Sequence, residues 1–176
     1  IKSLSKYRDI LFTKIKDKII DSTKLKIAFS FDDGYVDNLK YVAPIMEKYK
    51  LHWNIYVVTD FIKNNKKGFM SASDLRELSM YNYVTIGSHG KSHLPLSKFT
   101  KNNLQTELFD SKNYLEDLLG VKINSLSYPF GSANQNVMYT AKDTGYSIAC
   151  SSYPNINHAD RSIMCLCRTP IFSYDN

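Results

Sequence analysis

Arginine is scarce in this chain, although the chain is strongly basic. Lysine and arginine number 23 against 17 acidic residues, a formal net charge of +6, but only four of the 23 are arginine. Proteins that read nucleic-acid bases and phosphates favour arginine, because its planar fork forms paired hydrogen bonds. No basic cluster is interleaved with aromatic residues. We therefore predict a solvated basic surface, suited to a nearby anionic polymer or membrane, and no nucleic-acid partner.

Cysteine is also rare, and long hydrophobic runs are missing. Cys150, Cys165 and Cys167 are odd in number, and the last two lack the spacing of a zinc knuckle. We expect buried free thiols in a reducing compartment, which favours the cytoplasm over the cell envelope or secretion. No stretch reaches the length of a membrane span. The first twenty residues carry lysine or aspartate every few positions and do not resemble a secretory signal.

The chain is long enough for one domain with a substantial core, since 43% of its 176 residues are hydrophobic. Strand-like and helix-like segments alternate along it. The predicted strands are 26–31, 52–58, 83–86, 126–128, 147–150 and 163–166, and the predicted helices are 3–20, 37–49, 73–80, 100–119 and 134–145. This alternation favours an α/β fold with a parallel sheet or barrel. An eight-stranded barrel typically needs ~250 residues, so we expect an incomplete or distorted one.

Two adjacent carboxylates follow the first long strand. Asp32 and Asp33 come directly after 26–31 and precede Gly34. Aspartate followed by glycine is common in plain turns, which is the simplest interpretation. Active sites of parallel α/β folds, however, form at the carboxyl ends of the strands. A functional interpretation therefore requires chemically apt residues after other strands as well.

Such residues follow the third and fourth strands. His89 and His93 lie four residues apart in GSHGKSH, and the chain contains only four histidines. Two imidazoles and one carboxylate form a ligand set that leaves an open metal position. After the fourth strand, SYPFG (127–131) contains a proline and a glycine that enforce an irregular backbone. Such a loop either exposes amide N–H groups towards the strand ends or is a plain turn.

FSFDDG, SHGKSH and SYPFG, in this order, resemble the leading motifs of the polysaccharide deacetylase (NodB-homology) family of carbohydrate esterases. The resemblance runs roughly from Lys24 to Ile171, so we predict a catalytic domain at 24–176 after an amino-terminal helix at 1–23. It implies a NodB-like fold, a distorted and incomplete (β/α) barrel. It also implies hydrolysis of N-acetyl groups on amino sugars with one divalent metal ion. The short Tyr-Pro-Phe-Gly form resembles the branch that acts on exopolysaccharide or surface glycans.

The resemblance implies a role for each motif residue. Asp33, His89 and His93 match the metal ligands, with zinc expected and cobalt, nickel or manganese as alternatives. Asp32 matches the general base that takes a proton from the attacking water. The backbone amide of Phe130 matches the donor to the tetrahedral oxyanion. Tyr128, Pro129 and Phe130 are also predicted to contact substrate.

Two further candidates lie late in the chain. Arg168, in CRTPI, resembles the arginine of a late Arg-x-Pro motif and is predicted to orient Asp32 and lower its pKa. The alternative is a surface arginine. The family's late acid histidine has no match here, and His158 is the only late histidine. We leave three roles open for His158: the general acid, a lid residue that contacts sugar, or no role, with a solvent-facing side chain narrowly preferred.

Three functions remain open from the sequence. The first is a metal-dependent N-deacetylase acting on an N-acetylated glycan of a surface polysaccharide or its precursor. The second keeps the site but hydrolyses another C–N amide bond. The third is a sugar-binding module whose turnover is lost, which the missing acid histidine favours. The sequence does not predict an oligomeric state.

Overall fold

A computed structural model describes residues 10–12, 25–158 and 160–171 of the chain. The strands in these ranges are β1 (Ile10–Phe12), β2 (Leu25–Ile27), β3 (Phe29–Phe31), β4 (Trp53–Val57), β5 (Val84–Ser88), β6 (Ser125–Ser127) and β7 (Ile148–Cys150). The helices are α1 (Ala43–Lys48, preceded by a π-helical turn Asn38–Val42), α2 (Thr59–Lys63), α3 (Ala72–Ser79), α4 (Lys101–Leu119) and α5 (Gln135–Asp143). No helix of the described ranges has the length and apolarity needed to cross a bilayer.

Five parallel strands form one sheet in the order β3-β4-β5-β6-β7. Because every pairing is parallel, each strand delivers its carboxyl end to the same edge of the sheet. All five residues of β4 are buried, as expected for a central strand covered on both faces. The sheet curls into a half-barrel flanked by helices, which confirms the prediction of a distorted, incomplete (β/α) barrel.

The long helix α4 packs against this sheet through one apolar face. Leu104, Leu108 and Leu115 are fully buried, at the spacing of an amphipathic helix. Thr100 accepts a hydrogen bond from the Asn103 N–H at the first turn. Gly120 ends the helix in the left-handed conformation, with φ of 68°. Both ends of α4 were predicted from these residue types, and the structure confirms them.

Some predicted elements are wrong. The described part of the helix predicted at 3–20 is the strand β1, which pairs in parallel with β2; the rest of 3–20 lies outside the described residues. Backbone pairing with a neighbouring strand overrides the weak helical pattern there. The strand predicted at 163–166 is a turn in which only Leu166 bridges to Cys150. The boundary between 1–23 and 24–176 remains a prediction.

A carboxylate fastens the end of α4 to the segment that leads into β6. Glu116 accepts hydrogen bonds from the Lys112 ammonium at 2.7 Å and the Ile123 N–H at 2.9 Å, and pairs with Lys122 at 3.3 Å. Lys112 also donates to the carbonyl of Ile123. Burial opposes ionisation, but these donors outweigh it and lower the pKa of Glu116 to about 2.

We predict that Glu116→Gln destabilises the fold in a pH-dependent way. Because the folded pKa lies below the unfolded one, the ionised carboxylate stabilises the protein above about pH 4.5. That contribution is lost as the pH falls towards about 2. The expected loss is about 1–3 kcal/mol at pH 7 and shrinks steadily below pH 4.5. Urea unfolding of both proteins between pH 7 and pH 3 measures it, and an equal loss at both ends would contradict the prediction.

Candidate active site

The Asp-Asp-Gly loop turns sharply after β3. Asp33 adopts a left-handed conformation, with φ of 71°, which a residue with a side chain rarely takes. The following Gly34 has φ of 81°, and a Cβ there would lie 2.9 Å from a methyl carbon of Val57. Only glycine fits this position. The turn separates the two neighbouring carboxylates, so that Asp32 and Asp33 meet different partners.

Asp33 meets the two histidines that follow β5. Its Oδ1 atom lies 3.4 Å from Nε2 of His89 and 3.1 Å from Nε2 of His93. The three donor atoms all lie within 4.8 Å of one another. Two imidazole nitrogens and one carboxylate oxygen at this separation fit a single zinc-type ion with open coordination positions. We call Asp33, His89 and His93 the metal cluster.

A backbone carbonyl fixes the orientation of His89, which is buried. Its Nδ1 atom lies 2.7 Å from the carbonyl oxygen of Ser127. Because a carbonyl only accepts, Nδ1 donates to it, and Nε2 is left to face the cluster. This second contact is the usual way in which proteins orient a ligating histidine.

The cluster favours the protonation states that bind metal. The contact with His89 lowers the pKa of Asp33, although burial opposes the shift. Burial and the neighbouring His89 lower the pKa of His93. At neutral pH the carboxylate is therefore ionised and the His93 imidazole is neutral, as ligation requires.

Asp32 forms a paired contact with Arg168. The two guanidinium nitrogens donate to Oδ1 at 2.8 Å and to Oδ2 at 2.6 Å. The hydroxyl of Ser127 lies 3.1 Å from Oδ2 and 2.8 Å from Arg168. Burial alone would raise the pKa of Asp32, but Arg168 outweighs it and holds this pKa below its usual range. Oδ2 lies 3.9 Å from Nε2 of His89, so the ionised carboxylate borders the cluster.

The Tyr-Pro-Phe-Gly loop brings Phe130 to the cluster. Its ring centroid lies 4.8 Å from that of His93, and 66% of the residue is exposed. Phe130 has φ of 58°, in the left-handed region like Asp33. Within the described part of the chain its N–H has no hydrogen-bond acceptor. An oxyanion donor needs such a free N–H.

A series of aromatic ring contacts begins at His93 of the cluster. The ring of His93 lies 5.7 Å from Phe61, which lies 4.5 Å from Phe69. Phe69 in turn stacks on Tyr35 at 4.6 Å. Tyr35 is 48% exposed, and partial burial together with the nearby Asp33 carboxylate raises its pKa, so the series of rings ends beside the cluster.

The structure corrects two of the predicted substrate contacts. The Tyr128 side chain has no exposed surface, and its hydroxyl donates to the carbonyl of Met164 at 2.8 Å. Pro129 is also buried. The Tyr128 side chain packs in the core, whereas the Pro129 ring lies beside Gly90, 3.7 Å from where a Cβ of that residue would stand. Neither can contact a glycan, and only Phe130 of the three is exposed.

His158 lies apart from these residues. It is exposed on the segment after β7 and lines a shallow depression with Ile156, Arg161 and Cys165. None of the residues that line this depression belongs to the site described above. The structure therefore gives no contact that supports His158 as a general acid.

Two residues of the site were missed as participants. Ser127 is one: its hydroxyl contacts Asp32 and its carbonyl contacts His89, so it touches both the proposed base and the metal cluster. Glu107 contacts the loop between His89 and His93. Its signal in the sequence was an acidic residue at the spacing of the apolar face of α4.

Comparison with known proteins bears on the family and the fold of the chain. The chain is 27% identical over 145 residues to YxkH of Bacillus subtilis (strain 168), a protein assigned by name to the polysaccharide deacetylases; the match covers 82% of this chain and 51% of YxkH. Among solved structures, the deacetylase PplD of Streptococcus pyogenes, in complex with acetate, superposes with a TM-score of 0.81 at 22% identity, covering 86% of this chain and 66% of that one. The deacetylase domain of BpsB from Bordetella bronchiseptica gives 0.76 at 20% identity, covering 83% and 71%.

The two solved structures, each less than 25% identical to this chain, show its fold. The chain spans about half the length of its curated relative YxkH and about two thirds of the PplD chain. The family itself is shown by a sequence match to the polysaccharide deacetylase family over residues 20–149, which are 130 of the 176 residues. The chain therefore belongs to the polysaccharide deacetylase family.

Proposed function

We propose that this chain is a metal-dependent N-deacetylase that hydrolyses N-acetyl groups on amino sugars of a surface polysaccharide or its precursor. The observation that supports this proposal most strongly is that a metal-binding cluster and an ionised carboxylate lie together at one edge of the sheet. One is the metal cluster of Asp33, His89 and His93, and the other is the ionised Asp32 beside it. Amide hydrolysis needs both an electrophilic centre and a proton acceptor within reach of one water molecule.

The roles follow from the contacts. A divalent ion, zinc by preference, would be held by Asp33, His89 and His93 and would supply polarisation of the acetyl carbonyl and of water. Asp32 accepts the proton of the attacking water, because Arg168 and Ser127 keep it ionised and fixed in direction.

Phe130 and Tyr35 provide contacts for the acetyl carbonyl oxygen and the sugar ring of the substrate. The free N–H of Phe130 donates to the carbonyl oxygen as negative charge develops on it. The exposed rings of Phe130 and Tyr35 flank the cluster and suit stacking against the apolar faces of sugar rings. Both solved neighbours named above are deacetylases by name, which supports the same reaction here.

The competing function is a sugar-binding module without turnover. It is favoured by one observation: among the described residues, the histidines at the cluster are His89 and His93, and both serve the metal. A module of this kind would bind zinc and glycan but release no acetate. Hydrolysis of another C–N amide bond remains a further alternative that acetate release separates from deacetylation.

The first prediction for this site concerns the metal. The protein should bind one zinc ion, and Asp33→Asn, His89→Ala or His93→Ala should each weaken binding by more than ~100-fold, because each removes a ligand. Competition with a chromophoric chelator measures the affinity. His158→Ala is the matched control and should bind zinc like the unchanged protein. Unchanged affinity in any of the three ligand variants would remove that residue from the cluster.

The second prediction separates the base from the ligands. Asp32→Asn should lower acetate release from an N-acetylglucosamine oligomer by at least ~10²-fold, because an amide cannot accept the proton. Zinc affinity should stay within a few-fold of the unchanged protein. Thermal unfolding checks the fold, since the variant leaves Arg168 without its anionic partner. If Asp32→Asn lost zinc as severely as Asp33→Asn, the division between base and ligand would be wrong.

A negative result with the unchanged protein is also informative. If zinc binds but no acetate is released from N-acetylated glycans, the non-catalytic module is the better description. If zinc does not bind, the metal-dependent function fails altogether.

The third prediction concerns His158. Because this residue is exposed and lies outside the site, His158→Ala should leave kcat unchanged. A general acid would be worth on the order of 10²–10⁴ in kcat. Steady-state acetate release decides between the two, and a loss of that size would restore His158 as the acid.

A further inference from the structure

Glu107 is a buried acidic residue with an unusual position. It is 5% exposed and lies on the apolar face of α4 between Leu104 and Leu108. Among the described residues, no lysine, arginine or histidine side chain pairs with it within 4.0 Å. Burying a charge costs free energy unless hydrogen bonds replace its water. The residue therefore needs a structural explanation.

The carboxylate is satisfied by the loop between the two metal-cluster histidines. A single oxygen, Oε1, accepts from the Lys91 N–H at 2.9 Å and from the Ser92 N–H at 2.7 Å. It also accepts from the Ser92 hydroxyl at 2.9 Å. Hydrogen bonds to an ionised acceptor are stronger than neutral ones. Glu107 thus binds two of the three residues that separate His89 from His93.

The third residue of this loop is fixed on both sides. The Gly90 N–H donates to the hydroxyl of Ser88 at 3.0 Å, and its carbonyl accepts from the Thr59 N–H at 3.3 Å. A Cβ at Gly90 would lie 3.3 Å from Oε1 of Glu107, so the loop passes close to the carboxylate. Every residue between the histidines therefore has a partner outside the loop.

His93, which follows Lys91 and Ser92, has a strained backbone conformation. His93 has φ of 62°, the left-handed region, which costs a residue with a side chain on the order of 1 kcal/mol or more. Such a conformation persists only where the surroundings determine it. The two N–H bonds to Glu107 fix Lys91 and Ser92 directly before His93, and so fix the direction in which its imidazole leaves the backbone.

We propose that Glu107 is a positioning residue for the metal centre. It holds the loop in the conformation in which both imidazoles face Asp33, so that part of the metal affinity is determined on α4, outside the ligand set. The inference rests on the metal-binding part of the proposed function. Within the described ranges the Glu107 carboxylate bonds to Lys91 and Ser92 and to none of the three cluster residues, so it acts through the loop.

The chain offers a matched control on the same helix and the same loop. Asp110 pairs with the Lys91 ammonium at 2.7 Å, but the two side chains are 37% and 33% exposed. Exposed ion pairs contribute little, because water and salt screen them. Asp110→Asn therefore removes a contact between α4 and the loop without touching the loop backbone.

The experiment measures zinc affinity by chelator competition and the stability of the metal-free protein by urea unfolding. Glu107→Ala should weaken zinc binding ~10–100-fold, the usual effect of removing a group that supports metal ligands. Glu107→Gln keeps an acceptor oxygen in place and should lose less, and Asp110→Asn should stay within about twofold. The absorption spectrum of the cobalt-loaded protein should change in Glu107→Ala, because the ligand geometry changes.

The outcomes separate this inference from its alternatives. If Glu107→Ala lowers metal-free stability but leaves the zinc affinity equal to that of Asp110→Asn, Glu107 is only a structural residue and the proposal is overturned. If Glu107→Ala does not fold, Glu107→Gln decides, and zinc affinity equal to that of the unchanged protein overturns the proposal. If the unchanged protein binds no zinc, the metal-dependent function and this inference both fail. If zinc binding is weakened in the Glu107 variants but not in Asp110→Asn, the inference is supported.

Discussion

The pair between Asp32 and Arg168 is the interaction on which the site depends. It joins residues 136 positions apart, and each oxygen of the carboxylate accepts from one guanidinium nitrogen. The same guanidinium donates to the Ser30 hydroxyl in β3 and to the Ser151 carbonyl just after β7. Those strands are the two edges of the open sheet. Arg168 therefore links the two edge strands of the incomplete barrel, at the sheet edge that carries the candidate site.

This arrangement also resolves the problem of adjacent carboxylates. Asp32 and Asp33 would repel each other if both projected into one space. One is neutralised by a guanidinium, and the other faces two imidazoles. Ser127 couples the two halves, since its hydroxyl contacts Asp32 and Arg168 while its carbonyl orients His89. A small polar residue at this position can serve both halves because it leaves room for the arginine.

The strand–helix alternation and the positions of the motifs could be predicted from the sequence, because both depend on local residue patterns. The ends of α4 are likewise set by local residue types. Where contacts are made between distant segments, prediction failed. The apolar run at 163–166 resembles a strand, but the chain there turns so that Arg168 can reach the site. Tyr128 was assigned to the substrate although its side chain turns inwards, and strand-end geometry decides that direction.

The metal cluster and its surroundings were partly predictable for the same reason. Spacing brought Asp33, His89 and His93 into consideration, and the family resemblance supplied Arg168. The contact of Glu107 with the loop between His89 and His93 could not be predicted, because the sequence does not show which loop packs against the buried face of a helix. A charged residue at an apolar position was the only indication.

The left-handed backbone at Asp33, His93 and Phe130 links function to the thermostability of the protein. Each conformation costs on the order of 1 kcal/mol, and the cost recurs in every folded molecule whether or not it turns over substrate. Glycine would relax any of the three positions but would delete the side chain that the site requires. Attempts to stabilise this protein by relieving backbone strain at these positions would therefore remove side chains of the candidate site, and improvement must come from elsewhere in the fold.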